Sequence, residues 1–332
     1  MNYNSFIGID VSKLTFDVFV YGKFLKKQFD NTDKGFVCFI KWLKKALCTE
    51  DLTQVLICFE HTGLYSMNLA LFLQEQSVPF SIVPALDIKC SLGTIRGKSD
   101  QLDAERIAEY AYLKKEKLIP TILPSKIIMK LQPLLSLRTK LIADKAGYGV
   151  SCNERRSVYP AKEHKELFNV YKGLIKVMEE KIKDLEIAIN NLLQNDLEIK
   201  RTFKLITGIK GIGPLTAAHL IVYTQNFTKF DSWRKFACYS GIAPFPHSSG
   251  TSLKGRTRVS HLANKQIKSL LFLCANVAVQ CDPEMKAYYQ RRIEEGKSKM
   301  SILNIIKNKL ISRVFAVMKR QTEYVTTGDF AA

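Results

Sequence analysis

Phe6-Ile7-Gly8-Ile9-Asp10 and Val55-Leu56-Ile57-Cys58-Phe59-Glu60 are the two stretches that set the fold class. Each is a short, uninterrupted apolar run that ends on an acid, the pattern of a strand buried on both faces. Outward from the first run, Thr15–Tyr21 alternates around Phe16, Val18 and Val20, and Phe24–Phe29 follows a turn at Gly22. Residues 5–30 therefore predict three strands in hairpin order. Thr32-Asp33-Lys34-Gly35 opens an amphipathic helix through Leu47, with Phe36, Phe39, Ile40 and Leu43 on one face. Beyond the second run come a helix over Leu64–Gln76 and a strand over Pro79–Val83. A further helix runs from Ser99 to about Lys117, with Leu102, Ile107, Ala108 and Ala111 as its buried stripe. Hairpin strands followed by alternating helix and strand predict an α/β layer architecture.

The acids carry the chemistry. Asp10 and Glu60 end two buried strands, and Asp100 and Asp103 stand three apart on one helix face, roughly 5–6 Å from each other. An acid at the tip of each of two strands, with a pair on a helix, is how an RNase H-like fold gathers carboxylates around divalent metal. Two hard cations roughly 3.5–4 Å apart clamp the attacking and leaving oxygens of an in-line phosphoryl transfer. Magnesium takes carboxylate oxygen and keeps several waters. Taken singly, any of these aspartates reads as a turn former or helix cap; the combination points to metal.

Charge placement agrees. The 332 residues, 46% of them hydrophobic, allow two or three domains with ample core, and the formal net charge is +19. Residues 1–110 hold 12 Lys and Arg against 13 Asp and Glu, a balance of −1, whereas residues 250–320 hold 15 against 4, a balance of +11. A nearly neutral half bearing the acids and a basic far half suit an enzyme that grips phosphates away from its metal. The eight cysteines form no CxxC pair and mostly lie inside apolar runs, which reads as buried thiols in a reducing cytoplasm. No apolar run is long enough to span a bilayer, so a cytoplasmic protein without membrane contact is expected.

Between about Ser125 and Gln194 the character changes. Leu167, Tyr171, Leu174, Met178, Ile182, Leu185, Ile189 and Leu192 recur at spacings of mostly three and four. A long helical hairpin or coiled coil is expected there, turning within Lys145–His164. The chain then divides into an acid-bearing domain over 1–120, a helical linker over 121–198 and a mostly α-helical domain over 199–332. In the last, Gly208-Ile209-Lys210-Gly211-Ile212-Gly213-Pro214 reads as the turn of a helix-hairpin-helix, whose backbone amides face a phosphate. Tyr239–Arg258 is the longest turn-rich segment, the setting in which functional residues concentrate. Helices resume over His261–Gln280 and Ser298–Lys319.

Three fragments carry a resemblance: Ile7-Gly8-Ile9-Asp10-Val11-Ser12-Lys13, Glu60-His61-Thr62-Gly63 and Lys98-Ser99-Asp100-Gln101-Leu102-Asp103-Ala104. Followed in order by the glycine-rich turn, Ser240-Gly241-Ile242-Ala243-Pro244, Ser249-Gly250 and Arg258-Val259-Ser260, they resemble the DEDD-type insertion-sequence transposases. That family has a RuvC-like amino-terminal domain and a second, serine-bearing transposase domain, and is similar to the Piv DNA invertase. The resemblance implies that Asp10, Glu60, Asp100 and Asp103 hold magnesium, with manganese as a substitute. It implies that Ser249 attacks DNA to form a covalent phosphoserine link, and that a bridge RNA encoded by the element selects donor and target DNA.

Read from its residues alone, Ser249 competes with Ser240, Ser248 and Ser252, and no base that would activate it is identifiable. Lys254, Arg256 and Arg258 follow closely and suit a scissile phosphate; Lys210, Lys265 and Lys268 are further candidates for nucleic-acid contact. Recombination joins several strand ends, so a homodimer or homotetramer is expected. A site-specific DNA invertase of the same family is the near alternative. A RuvC-like junction nuclease, in which water attacks, is the other enzyme that the acids allow, and it leaves Ser249 without a role. A non-catalytic nucleic-acid-binding protein would use only the basic helices.

Overall fold

The structure, a computed structural model, describes residues 3–91, 100–249 and 253–325. The chain divides into two compact units, one up to Leu123 and one from Pro124 onward.

The first unit is a mixed α/β layer. Strands β1 (Ser5–Val11), β2 (Thr15–Val20), β3 (Leu25–Asp30), β4 (Val55–Glu60) and β5 (Phe80–Val83) form one sheet in the order β3-β2-β1-β4-β5. The β1–β2 and β2–β3 pairs are antiparallel, as short turns dictate, and the β1–β4 and β4–β5 pairs are parallel. Helices α1 (Asp33–Leu47) and α2 (Leu64–Glu75) supply the connections that parallel pairing needs, and α3 (Ala85–Ser91) and α4 (Asp100–Leu113) complete the unit. Thr32 caps α1 by accepting a hydrogen bond from the Gly35 amide, and Cys48 ends the helix in the left-handed region. One face of the sheet buries Ile7, Ile9, Phe16 and Val18 against Phe36 and Phe39 of α1 and Leu69 and Leu73 of α2. Phe16 sits at the centre, with the rings of Phe29, Phe36 and Phe39 all within 5.8 Å of its own. The other face carries Phe6, Leu56 and Cys58 against Ile107, Tyr110 and Ala111 of α4.

Two expectations need correction here. Leu102 is 43% exposed, and the buried stripe of α4 is Ala104, Ile107, Ala108 and Ala111. The helix lies so close to β1 that only alanine fits at the contact, which turns Leu102 outward. Helix α4 also ends at Leu113, short of the expected Lys117, and the short α3 follows Pro84 directly.

The second unit is helical apart from one hairpin. Helices α5 (Lys126–Val158) and α6 (Lys165–Asn195) pair along their length, tied by Arg138 to Glu186 and by Lys145 to Glu179. The expected turn over Lys145–His164 shrinks to the residues after Val158, because Gly147 and Gly149 sit inside α5. The expected seam is offset at its start. Leu174 is 40% exposed, and the line of buried and half-buried residues is Phe168, Tyr171, Ile175, Met178, Ile182, Leu185, Ile189. That line steps strictly by three and four, the spacing that keeps one face on a partner helix.

Then follow α7 (Leu197–Thr207), α8 (Pro214–Thr224), α9 (Trp233–Tyr239), strands β6 (Pro244–Ser249) and β7 (Leu253–Val259), α10 (Lys265–Cys281), α11 (Pro283–Glu294) and α12 (Lys299–Arg320). Their core gathers Ile206, Leu220, Ile221, Phe236, Ile267, Leu271, Ile306 and Leu310. Among the described residues, no helix is long and apolar enough to cross a membrane.

Candidate active site

Asp10 and Glu60 stand side by side. Ile9 and Phe59 are register partners in the parallel β1–β4 pair, and the two acids are the next residues along. Neighbouring strands lie about 4.8 Å apart, and paired positions direct their side chains to the same face. Asp10 and Asp17 are partners in the antiparallel β1–β2 pair, and Asp17 in turn pairs with Gln28 of β3. A polar row of Gln28, Asp17, Asp10 and Glu60 thus crosses four strands. Asp17 is only 6% exposed and accepts a hydrogen bond from Gln28 Nε2 at 2.9 Å.

Helix α4 covers that same face. A Cβ at Gly8, two residues before Asp10, would fall 2.1 Å from the Ala104 carbonyl oxygen and 2.3 Å from the Ala108 nitrogen. Near the start of β1 the Phe6 ring meets Tyr112 at 5.6 Å, and Tyr112 stacks on Tyr21 at 4.5 Å. The helix therefore runs antiparallel to β1, with its first turns toward the strand's acidic end. From the Gly8 crossing, Asp10 lies about 7 Å further along the strand. On the helix, measured from midway between Ala104 and Ala108, Asp103 lies about 5 Å and Asp100 about 9 Å in that direction. The two α4 acids bracket Asp10 along the sheet.

Asp103 is engaged within its own helix, its Oδ1 2.6 Å from Arg106 Nη1, with both side chains largely buried. The side chain of Asp100 lies outside the described residues. Among the described residues, no three His, Cys, Asp or Glu side chains converge closely enough to hold a metal ion. The donors on this edge are carboxylate oxygens, the chemistry that suits a hard divalent cation.

Ser249 is the last residue of β6, and the segment read as a loop is a β-hairpin. Pro244 pairs with Val259, Ser248 with Lys254 and Ser249 with Leu253, with an irregularity between Phe245 and His247. Prolines are tolerated because both strands are edge strands. The side chains of Ser248, Ser249, Lys254 and Arg256, and all of Gly250 to Ser252, lie outside the described residues. Ser240 is fully buried and its hydroxyl donates to the Phe236 carbonyl at 2.7 Å, a structural role that removes it from the rivals of Ser249.

Among the candidate cations, Arg258 on β7 is exposed, as are Lys210 in the α7–α8 turn and Lys265 on α10, while Lys268 is half-buried. That turn needs glycine: Gly211 has φ +94°, and a Cβ there would lie 2.7 Å from that of Ala278. Gly213 then caps α8 with no side-chain hydrogen bond, leaving the first amides of the helix unclaimed by a cap.

Asp17 is the residue that sequence reasoning passed over. Alternation around Phe16, Val18 and Val20 assigned it to the opposite face. That this face is also covered depends on α4, more than 80 residues away in the chain.

Comparison with known proteins joins the two units. Residues 7–147 match a DEDD transposase family of the IS110 type, and residues 203–290 match the transposase IS116/IS110/IS902 family. The pilin gene-inverting protein of Moraxella lacunata is 27% identical over 331 residues, spanning 96% of this chain and 97% of that protein. Its counterpart from Moraxella bovis is also 27% identical over 331 residues. An insertion element IS110 protein of Streptomyces coelicolor is 33% identical over 147 residues, 44% of this chain and 35% of its own length. The chain belongs to the IS110-type DEDD transposases, a family of enzymes that cut and rejoin DNA.

Proposed function

We propose that this protein is the recombinase of an insertion sequence, using Ser249 as nucleophile and Asp10, Glu60, Asp100 and Asp103 as the acids of a magnesium site in an RNase H-like, RuvC-like domain. The alignment of Asp10 with Glu60 on neighbouring strand ends, beneath the first turns of α4, carries the reading. The four acids would hold the metal, with Asp103 exchanging its Arg106 contact for it; Asp17, held by Gln28, adds to the negative field at Asp10. When bound by these acids, a divalent cation would supply polarisation of a phosphodiester and stabilisation of the charge that builds on its oxygens.

The Ser249 hydroxyl gives up its proton and forms a bond to phosphorus as the bond to the leaving strand breaks. The departing oxygen takes up a proton, and the DNA end stays joined to the serine until another strand's hydroxyl displaces it. Arg258 and the neighbouring Lys254 and Arg256 suit the phosphates on either side, and Lys210 with the unclaimed amides of α8 suits the backbone further along. A bridge RNA encoded by the element would choose the DNA partners, and a homodimer or homotetramer would bring the strand ends together. Such an enzyme works in the cytoplasm, where the DNA is.

A second reading, site-specific inversion, is favoured by the end-to-end match with the two pilin gene-inverting proteins. The chemistry is the same, and only the arrangement of the DNA sites differs. Ser249→Ala is expected to abolish both recombination and the covalent protein–DNA adduct, whereas Asp10→Asn abolishes cutting with overall DNA affinity largely kept. Adduct formation by the Ser249→Ala protein at the normal level would remove this serine from the mechanism.

A further inference from the structure

Helix α12 carries one buried and one partly buried cation, and they are treated differently. Arg313 is matched by two carboxylates, with Nη1 2.6 Å from Asp282 and Nη2 2.6 Å from Glu284. Lys307, two turns earlier, is 5% exposed and has no carboxylate or carbonyl partner among the described residues. Lys268 of α10 acts on it as a like charge, and its ammonium lies 5.9 Å from the centroid of the Phe272 ring. Burial first, and then Lys268, pull the Lys307 ammonium below its ordinary value. The ammonium tip is not fully enclosed, but a charge on a buried stem without a counter-charge is still unfavourable to the fold, and a second like charge adds to that cost.

The location gives the pair a use. Lys268 lies against the turn that feeds β6: a Cβ at Gly241 would be 3.6 Å from Lys268 Cδ. On the other side, Asn304 and Asn308, which flank Lys307 on α12, donate from their Nδ2 atoms to the Ile242 carbonyl at 2.9 and 3.1 Å. The two lysines therefore border residues 241–242, at the root of the hairpin whose last β6 residue is Ser249. From Pro244 to Ser249 the strand advances about 17 Å. A single DNA strand places phosphates at about 3.4 Å intervals of axial rise, so the spacing allows one strand to present a phosphate at the root and another, several nucleotides away, at the tip.

We propose that Lys307 and Lys268 form a phosphate-binding clasp for the DNA strand being cut, holding its backbone at the root of the β6–β7 hairpin. This rests on the reading of Ser249 as the residue that attacks DNA. The fold tolerates the unpaired ammonium because the phosphate completes it. Phe272 shields one side of the Lys307 ammonium.

The full-length protein, as wild type, Lys307→Gln and Lys307→Met, tests this. Binding is measured across a salt series to a duplex carrying the element's end and, separately, to single-stranded RNA of the same length. Thermal unfolding and adduct formation at saturating protein are followed alongside. Both variants are expected to bind the duplex on the order of tenfold more weakly at low salt. The slope of log affinity against log salt is expected to fall by about one. The melting temperature is expected to hold or rise, since an unpaired buried charge has gone.

An unchanged affinity and slope would overturn the clasp, as would a loss confined to the RNA. A duplex-binding loss that tracks a fallen melting temperature in both variants would assign Lys307 a structural role instead. Inorganic phosphate that stabilises the wild type alone, with duplex binding equal in all three proteins, would assign the site to a free anion and overturn the DNA reading. Failure of the Ser249 reading shows separately, as absence of adduct from the wild type whatever the salt slope does.

Discussion

Replacing Gly8 by alanine tests whether α4 positions the acids. The added Cβ would sit 2.1 Å from the Ala104 carbonyl oxygen, 2.3 Å from the Ala108 nitrogen and 2.9 Å from the Ala108 Cα. Real Cβ atoms essentially never approach anything below 3.0 Å, and here each obstacle is backbone that cannot rotate aside. The helix must therefore withdraw from β1 by about 1 Å, at a cost of about 1–3 kcal/mol for an overpacked core. Asp100 and Asp103 travel with it, while Asp10 and Glu60 stay on the sheet. A displacement of about 1 Å between reacting groups costs on the order of 100-fold in rate.

The assay is strand joining on duplexes carrying the element's ends, run well below the melting temperature, with Gly147→Ala as control. Gly147 sits in α5 with nothing within 4 Å of its built Cβ, so alanine there adds helix propensity and little else. The expected result is a loss of about two orders of magnitude for Gly8→Ala and near-wild-type joining for the control. DNA affinity is expected to persist in both, because the net positive charge lies elsewhere. A Gly8→Ala protein that melts lower yet joins strands at the wild-type rate would refute the idea that α4 sets the geometry of these acids.

Two further outcomes concern stability. His219 on α8 is 3% exposed, and burial, with Arg138 nearby, pushes its imidazole down from 6.5 to about 4. The unfolded chain gains a proton that the folded chain refuses, so this contribution is intact above pH 6.5 and is lost as pH falls toward 4. It amounts to about 3 kcal/mol. Urea unfolding from pH 7 to pH 4 checks it, and an unaltered pH slope in His219→Gln would dismiss it. Asp282, 1% exposed, both accepts from Arg313 and caps α11 through the Glu284 and Met285 amides. Asp282→Ala is expected to cost about 2–3 kcal/mol by removing the α11 cap and leaving Arg313 with Glu284 alone, whereas Glu50→Ala, at an exposed pair with Lys44, barely moves the melting temperature. Equal shifts from the two changes would contradict this.

Much of the first unit was legible because its signals are local. The apolar runs ending on Asp10 and Glu60, the Thr32 cap and Pro84 each act over a few residues, and the five strands and helices α1 and α2 fall within a residue or two of expectation, while α4 ends four residues before Lys117 and α3 was not foreseen. What escaped depended on distant partners or on conflicting local cues. Asp17 is buried only because α4 covers its face, and Leu102 turns outward because Gly8 draws the helix so close. The β6–β7 hairpin was hidden by Pro244, Pro246 and Gly255, which weaken any strand pattern but are admissible in a two-stranded ribbon. Helix α11 was readable and missed: Asp282-Pro283-Glu284 is a cap, a first-turn proline and a first-turn acid in succession. In α6 the pattern was recognised but its phase slipped by one residue at the start, where Leu174 and Ile175 compete and only the facing helix decides.

The acidic edge draws on residue 10, residue 60 and residues 100 to 103, so its parts are separated by 50 and then 40 positions of chain. A ribosome that has released both acid-tipped strands has not yet delivered α4, and until that helix docks, Phe6, Leu56 and Cys58 lack their cover. On the proposed reading, cutting waits for α4 to complete the four acids and then for Ser249, which comes later still, in the second unit. A chain that stops before α4 therefore lacks two of the four acids proposed to hold the metal.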